Sequence, residues 1–141
     1  MTPKQKNTFF VLILLAAVLF YTFSGGSVGI SLDCGDERLS LGASDRDWVI
    51  PYDQIASLEL TALTDLGTPV DGTEKRTLSY GTWENDLWDE YTLCVNPTIS
   101  QCIVVTLQDG SITVLNYENE ESTKALHTMF SELLQSKGYL Q

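Results

Sequence analysis

Alternating apolar and polar positions predict a series of short strands through the middle of the chain. A period of two, or a short apolar run bounded by turn residues, is typical of a strand with a buried face. Segments with this pattern lie at 30–32, 38–41, 48–50, 55–61, 78–83 and 91–95. Between the fourth and fifth segments, residues 64–74 contain Gly67, Pro69 and Gly72, which predict a long loop.

Two longer alternating segments, 102–108 and 111–117, flank Asp109-Gly110. An Asp-Gly dipeptide between strands favours a tight two-residue turn, because both turn positions need positive φ. The sequence therefore predicts a β-hairpin here.

A helix is predicted at the C-terminal end. Asn119 is a suitable N-cap, and Gly138 is a suitable stop. Between them an apolar stripe recurs with helical spacing, formed by Leu126, Met129, Phe130, Leu133 and Leu134. The predicted fold class is α+β, mainly β, with this helix packed on the strands.

The N-terminal region has a different pattern. Residues 9–23 are apolar, and no charge occurs between Lys6 and Asp33. A helix continued to Ile30 would be about 33 Å long, enough for a hydrocarbon core of about 30 Å. Residues 9–26 are therefore interpreted as a transmembrane anchor, and a cleaved signal peptide stays open as the alternative.

The charges on either side of this segment predict its orientation. Lys4 and Lys6 precede it, and Asp33 and Asp36 follow it, so the positive-inside rule places residues 1–8 in the cytoplasm. Residues 27–141 are then an extracytoplasmic domain attached to the cell membrane by a single pass.

The charge of that domain limits its partners. The chain has 8 Lys and Arg against 19 Asp and Glu. Lys4 and Lys6 lie before the apolar segment, which leaves the domain six cations and a net charge of −13. Nucleic acids and anionic lipid headgroups are bound through Lys and Arg, so neither is an expected ligand unless a local basic cluster exists. The only basic cluster is the dipeptide Lys75-Arg76.

Several segments resemble bacterial pleckstrin-homology-like (PH-like) domains. Residues 49–58, VIPYDQIASL, are similar to the I-P-Y-D-x-I-x-S-L segment of that family, and residues 80–83, YGTW, to its Gly-aromatic strand. The Asp109-Gly110-Ser111 turn and the helix after Glu118-Asn119-Glu120 follow in the same order. The resemblance covers residues 30–139, nearly the whole domain.

The resemblance implies a partly open seven-stranded barrel capped by one C-terminal helix, in a family of membrane-associated proteins. Relatives that bind inositol phosphates use a basic cluster in the first hairpin. This chain has Asp33, Asp36 and Glu37 there, with only Arg38. Binding of a phosphoinositide-type headgroup is therefore not expected.

The sequence contains no recognisable catalytic, cofactor or metal motif. His127 is the only histidine, and no nucleophile motif accompanies it. Acidic stretches at 45–47, 65–74 and 84–90 lack the ligand spacing of an EF-hand loop. We expect a protein that is not an enzyme and that holds neither cofactor nor metal.

Cys94 and Cys102 flank residues 95–101. If these residues form a hairpin loop, the two cysteines are cross-strand neighbours within reach of a disulfide bond, which an extracytoplasmic site permits. The hypothesis is a Cys94–Cys102 bridge with Cys34 free. Its alternative is two small buried apolar side chains.

Trp83 and Trp88 bracket the acidic stretch 84–90. Aromatic side chains beside charges are frequent at protein interfaces and equally frequent in cores, so an interface role and a core role both stay open.

The expected function is a membrane-anchored, extracytoplasmic PH-like interaction module whose partner is a protein, either a membrane neighbour or another copy of the chain. The alternative is a cleaved, secreted ligand-binding domain.

Overall fold

A computed structural model describes residues 29–140 of the chain. The anchor predicted at 9–26 lies outside the described residues. The continuation of its helix to Ile30 is wrong, because Gly29 has φ of +104° and Ile30 begins the first strand. The described part has nine strands, one short 3₁₀ helix and one α-helix. In chain order they are β1 (Ile30–Cys34), β2 (Arg38–Ala43), β3 (Arg46–Pro51), the 3₁₀ helix (Tyr52–Gln54), β4 (Ile55–Ala62), β5 (Thr68–Glu74), β6 (Ser79–Asn85), β7 (Asp89–Val95), β8 (Gln101–Leu107), β9 (Ile112–Leu115) and α1 (Glu120–Ser136).

The strands form two sheets. The first is an antiparallel meander in the order β1-β2-β3, with Leu32 opposite Leu41 and Leu41 opposite Trp48. The second has the order β4-β8-β9-β7-β6-β5, and all of its pairings are antiparallel except that of β7 with β9. In that parallel pair, Leu93 lies opposite Val114.

The core lies on both faces of the six-stranded sheet. On its inner face, side chains such as Cys94 and Val105 pack with the three-stranded sheet and with α1. Its outer face carries a second buried cluster of Trp83, Tyr91, Leu93, Val95, Cys102, Val104 and Val114. Burial on both faces explains the nearly continuous apolar runs of β7 and β8.

The helix begins and ends where the sequence predicts. Asn119 Oδ1 accepts a hydrogen bond from the backbone N–H of Ser122 at 2.8 Å, which confirms the N-cap. Gly138 has φ of +84°, and the N–H groups of Gly138 and Tyr139 donate to the carbonyls of Gln135 and Leu134. This Schellman arrangement satisfies the last carbonyl groups of α1.

Side-chain contacts join the separate elements. The buried Tyr52 hydroxyl donates to the Gly35 carbonyl at 2.7 Å, and its ring packs edge-on against Phe130 of α1 at 5.5 Å between centroids. Arg46 on β3 donates to the carbonyl of Asp71 on β5 at 2.7 Å and to its carboxylate at 3.1 Å. The helix and the two sheets are thereby held in one arrangement.

Two local predictions were wrong. The loop expected at 64–74 contains β5, because an edge strand accommodates Pro69 without losing a ladder hydrogen bond. In the β8–β9 hairpin only Gly110 has positive φ, at +88°, and its N–H donates to the Leu107 carbonyl. The turn is therefore a three-residue loop with glycine in the left-handed position, rather than the expected two-residue turn.

The barrel implied by the resemblance also differs from the structure. Nine strands replace the expected seven, and across residues 29–140 no strand pairing connects the two sheets into a closed barrel. The mainly β fold with one C-terminal helix is confirmed. Within the same residues, no helix has the length and apolar character needed to cross a membrane.

Candidate functional site

The loop between β6 and β7 is built around Asn85. Asn85 and Asp89 form the last pair of the hairpin, which leaves a three-residue loop, 86–88. Asn85 Oδ1 accepts hydrogen bonds from the backbone N–H groups of Leu87 at 3.1 Å and Trp88 at 2.8 Å, and Asp89 closes the loop with φ of +56°. An asparagine side chain that satisfies its own turn in this way fixes the loop backbone. As a result Leu87 is held in solvent, with 70% of its surface exposed.

The segment that connects β4 to β5 lies against this hairpin. Asn85 Nδ2 donates to the carbonyl of Asp65 at 3.2 Å, and Asp65 Oδ1 accepts from the N–H of Gly67 at 2.9 Å. Gly67 has φ of +82°, and a Cβ at this position would overlap the carbonyl of Glu84. Only glycine allows the connection to approach the hairpin so closely.

Aromatic side chains join the loop to the core on the outer face of the six-stranded sheet. The Tyr91 hydroxyl donates to the Leu66 carbonyl at 2.6 Å, and the Tyr91 ring meets Trp88 edge-on at 5.0 Å between centroids. Burial, with a smaller effect from Asp65, raises the pKa of Tyr91 well above its ordinary value. The hydroxyl therefore stays protonated and remains a donor throughout the physiological pH range.

These contacts create a cleft of about 450 Å³ between the hairpin and the connecting segment. Leu87 and the half-buried Trp88 lie in the same hairpin loop, and we call them, together with the cleft, the tip surface. The cleft is lined by Asp65, Gly67, Thr68, Glu84, Asn85, Asp86, Asp89 and Glu90.

The charge of the tip surface is uncompensated. Five of its residues are acidic, and the ion pairs found in residues 29–140 are Arg46–Asp71 and Lys124–Glu120, which involve none of them. A concentration of one sign of charge in a concave site attracts ligands of the opposite sign. Over the same residues, no three His, Cys, Asp or Glu side chains are grouped so as to hold a metal ion. The arrangement suits a cationic surface with an apolar patch that can cover Leu87.

The two predicted interface tryptophans have different environments. Trp83 is 2% exposed, its Nε1 donates to the Tyr80 carbonyl at 3.1 Å, and it belongs to the outer-face core. Trp88 is half-buried and belongs to the tip surface. Sequence reasoning did not single out Leu87. The feature that could have indicated it is a leucine in the centre of a short acidic loop.

The structure does not bring Cys94 and Cys102 together. Strand β9 lies between β7 and β8, so the expected hairpin of these two strands is wrong. Strands two places apart are separated by about 9.5 Å, beyond the Cα separation of about 7 Å that a disulfide allows. Cys94 packs on the inner face and Cys102 on the outer face, and both thiols are free, as is that of Cys34.

The thiols are expected to react slowly in the folded protein. Burial raises the pKa of Cys34 and Cys94 from 9.0 to about 12 and that of Cys102 to about 11, with smaller effects from Asp33 on Cys34 and from Glu59 on Cys102. Because the thiolate is the reactive form, alkylation near neutral pH should be slow until the chain unfolds. In urea without reductant, mass spectrometry should then detect three alkylated cysteines, whereas a single alkylated cysteine would restore the disulfide hypothesis.

The same shifts predict how stability depends on pH. The unfolded thiols ionise near 9.0, whereas the folded thiols stay protonated up to about 11 or 12. Their contribution to the free energy of unfolding is therefore complete below pH 9 and decreases as the pH rises through that range.

Two other features of the described residues lie apart from the tip surface. His127 is half-buried on α1. A second cleft, of about 440 Å³, lies on the three-stranded sheet, where Ser31 and Asp47 flank Gly42 and Val49 is 53% exposed. This second cleft has fewer charged groups than the tip surface, and its exposed valine, Val49, is less exposed than Leu87.

Comparison with known proteins assigns no family to the chain. No family model, no curated protein and no solved structure matches it. The fold and the site define a mainly β α+β domain with an acidic tip surface.

Proposed function

We propose that the protein is a membrane-anchored, extracytoplasmic interaction module that binds a protein partner through the tip surface and is not an enzyme. The main support for the proposal is Leu87, an apolar side chain that is 70% exposed on a loop fixed by Asn85. The cleft beside this loop is lined by carboxylates that form no ion pair. An apolar contact rimmed by charge is the usual composition of a protein interface.

The charge of the site favours a cationic partner over a second copy of the chain. Two copies would bring two sets of tip carboxylates together, and each domain carries a net charge of −13. Like charges placed opposite each other oppose association. A basic surface on another protein would instead gain from them.

Anchoring by residues 9–26, with the domain outside the cell, is part of the same proposal. It is supported by the apolar, uncharged run at 9–23 and by the position of Lys4 and Lys6. The alternative, a cleaved and secreted ligand-binding domain, predicts a mature protein that lacks residues 1–26.

A relation to bacterial PH-like domains also stays a proposal. The motif at 49–58 and the single C-terminal helix on the strands support it, while the parallel β7–β9 pair and the count of nine strands depart from the expected architecture. Strand order determined by nuclear Overhauser effects would test it. A confirmed parallel β7–β9 pair would weigh against the relation.

Substitution of Leu87 should test the binding site. A photo-reactive amino acid at Thr68 is expected to cross-link a discrete partner in intact cells, because Thr68 lines the cleft. The additional change Leu87→Asp should reduce this capture about tenfold, as expected for an interface residue that contributes more than about 1 kcal/mol. Raising the ionic strength should also reduce it, since the carboxylates are exposed.

The matched control is Val49→Asp, which places the same charge on the exposed valine of the three-stranded sheet. It should leave the capture at Thr68 unchanged. Equal loss in both variants would show a non-specific effect of charge, and loss with Val49→Asp alone would move the interface to the second cleft. Cross-links between two copies of the chain would replace the cationic partner with self-association.

A further inference from the structure

The chain enters the domain beside the turn that connects β5 to β6. Gly29, the first described residue, has φ of +104° and packs against Leu78, since a Cβ on it would lie 3.0 Å from Leu78 Cδ2. Ile30, at the start of β1, pairs with Ala43, so the β2–β3 turn lies at this end as well. We call this end, with Gly29, Leu78 and the turns 44–45 and 75–77, the entry end.

The entry end carries the basic dipeptide that the sequence singled out. Lys75 N–H donates to the Leu78 carbonyl at 3.0 Å, which closes the turn, and the side chains of Lys75 and Arg76 are exposed. In the described part of the chain neither side chain forms an ion pair, whereas the nearby Arg46 is bound to Asp71. Glu74 and Asp45 also lie at this end, but both cations project from the turn without a carboxylate bound to them.

The tip surface lies at the opposite end of the same strand. β6 begins at Ser79, directly after the basic turn, and ends at Asn85, which supports the acidic loop. Seven residues of strand span about 20 Å. One strand therefore separates the basic turn from the acidic tip, and this separation gives the domain two ends of different charge.

We infer that the entry end rests on the membrane surface, with Lys75 and Arg76 at anionic headgroups and the tip surface directed away from the bilayer. This inference depends on the proposed anchor. If the anchor ends at residue 26, residues 27–29 can span only about 10 Å, which keeps Gly29 close to the headgroups. Where the outer leaflet contains anionic lipid, the orientation also places two cations near it and keeps the tip carboxylates away from it.

This placement determines the height of the tip surface above the bilayer. The tip surface is held some 20 Å farther from the bilayer than the entry end, at a height where the extracytoplasmic part of a neighbouring protein is accessible. Headgroup contact orients the domain and does not require a specific headgroup pocket.

The test uses the full chain in nanodiscs that contain anionic lipid and a short-range quencher on the headgroups. One variant carries a fluorophore at Thr77→Cys, in the basic turn, and the other at Leu87→Cys, in the tip. The unsubstituted chain, in which Cys94 and Cys102 are buried and Cys34 is half-buried, serves as the labelling blank. Quenching should be several-fold stronger at residue 77 than at residue 87.

Removal of the basic charges tests the headgroup contact. In the Thr77→Cys chain, the added changes Lys75→Ser and Arg76→Ser should weaken quenching in anionic nanodiscs and leave it unchanged in zwitterionic ones. No effect in anionic nanodiscs would overturn the contact. Equal or stronger quenching at residue 87 in a chain that co-elutes with nanodiscs would overturn the orientation while the anchor stands. A chain that does not co-elute would overturn the anchor and the orientation together.

Discussion

The Trp83→Ala variant is expected to lose about 3 to 5 kcal/mol of the free energy of unfolding, the range measured for large-to-small changes of buried aromatic residues. Trp83 is 2% exposed, and its indole lies over the backbone of Gly72 on the neighbouring strand, where a Cβ would come within 2.7 Å of Nε1. Since β5, β6 and β7 are held together by their ladder hydrogen bonds, we expect the cavity to collapse only in part. Against a total of about 5 to 15 kcal/mol for a typical domain, the loss is large.

Urea titration followed by circular dichroism measures this effect. Leu87→Ala, in the adjoining loop of the same hairpin, is the control, because Leu87 is 70% exposed and its truncation should change stability by no more than about 0.5 kcal/mol. Trp83→Phe should fall between the two, since it keeps a ring but loses the hydrogen bond to the Tyr80 carbonyl. Equal stability of Trp83→Ala and Leu87→Ala would contradict a core role for Trp83.

The Asn116→Ala variant is expected to lose about 3 kcal/mol of the free energy of unfolding, because truncation leaves three part-buried backbone groups unpaired at about 1 kcal/mol each, the lower end of the range for buried groups. The Asn116 side chain is fully buried. Its Oδ1 accepts from the N–H of Asn96 at 2.8 Å, and its Nδ2 donates to the carbonyls of Asn96 at 3.1 Å and Gln101 at 3.3 Å. These bonds close the β7–β8 connection, so its amides should also exchange hydrogen faster.

The Asn116→Asp variant separates hydrogen bonding from packing. An ionised carboxylate at this site would face the two carbonyl oxygens that the amide now donates to, so burial and repulsion would raise its pKa in the folded state. The variant should therefore be most stable in acid, where a protonated carboxyl can donate, and should lose stability as the pH rises through that raised pKa. Thr98→Ala, which removes an exposed hydroxyl from the same connection, is the control. A flat difference between Asn116→Asp and the unsubstituted protein across pH would contradict the bonding scheme.

The elements that depend on local chemistry were predicted from sequence. Asn119 and Gly138 fixed the ends of α1 because capping needs only residues within one turn. The β8–β9 hairpin was predicted for the same reason, although its turn differs. Strand β5 was missed because Pro69 and Gly72 are typical of loops, and only the position of β5 at the sheet edge makes them acceptable.

Features that depend on long-range pairing were not predicted. An apolar run indicates a strand without naming its partner, so nothing in residues 94–102 showed that β9 would insert between β7 and β8. The disulfide hypothesis failed at that step. Of the residues that form the tip surface, the sequence singles out the acidic loop and Trp88. The exposure of Leu87 depends on the two hydrogen bonds that Asn85 accepts, which no sequence pattern shows.

The most direct test of the proposed placement uses the full chain with a tag after Gln141, expressed in its own cells. We expect a full-length product in the membrane fraction whose tag is removed by protease added outside intact cells. A full-length product in the soluble fraction, or a tag that resists protease until the cells are opened, would contradict it, and a soluble product lacking residues 1–26 would replace the anchored module with the secreted domain.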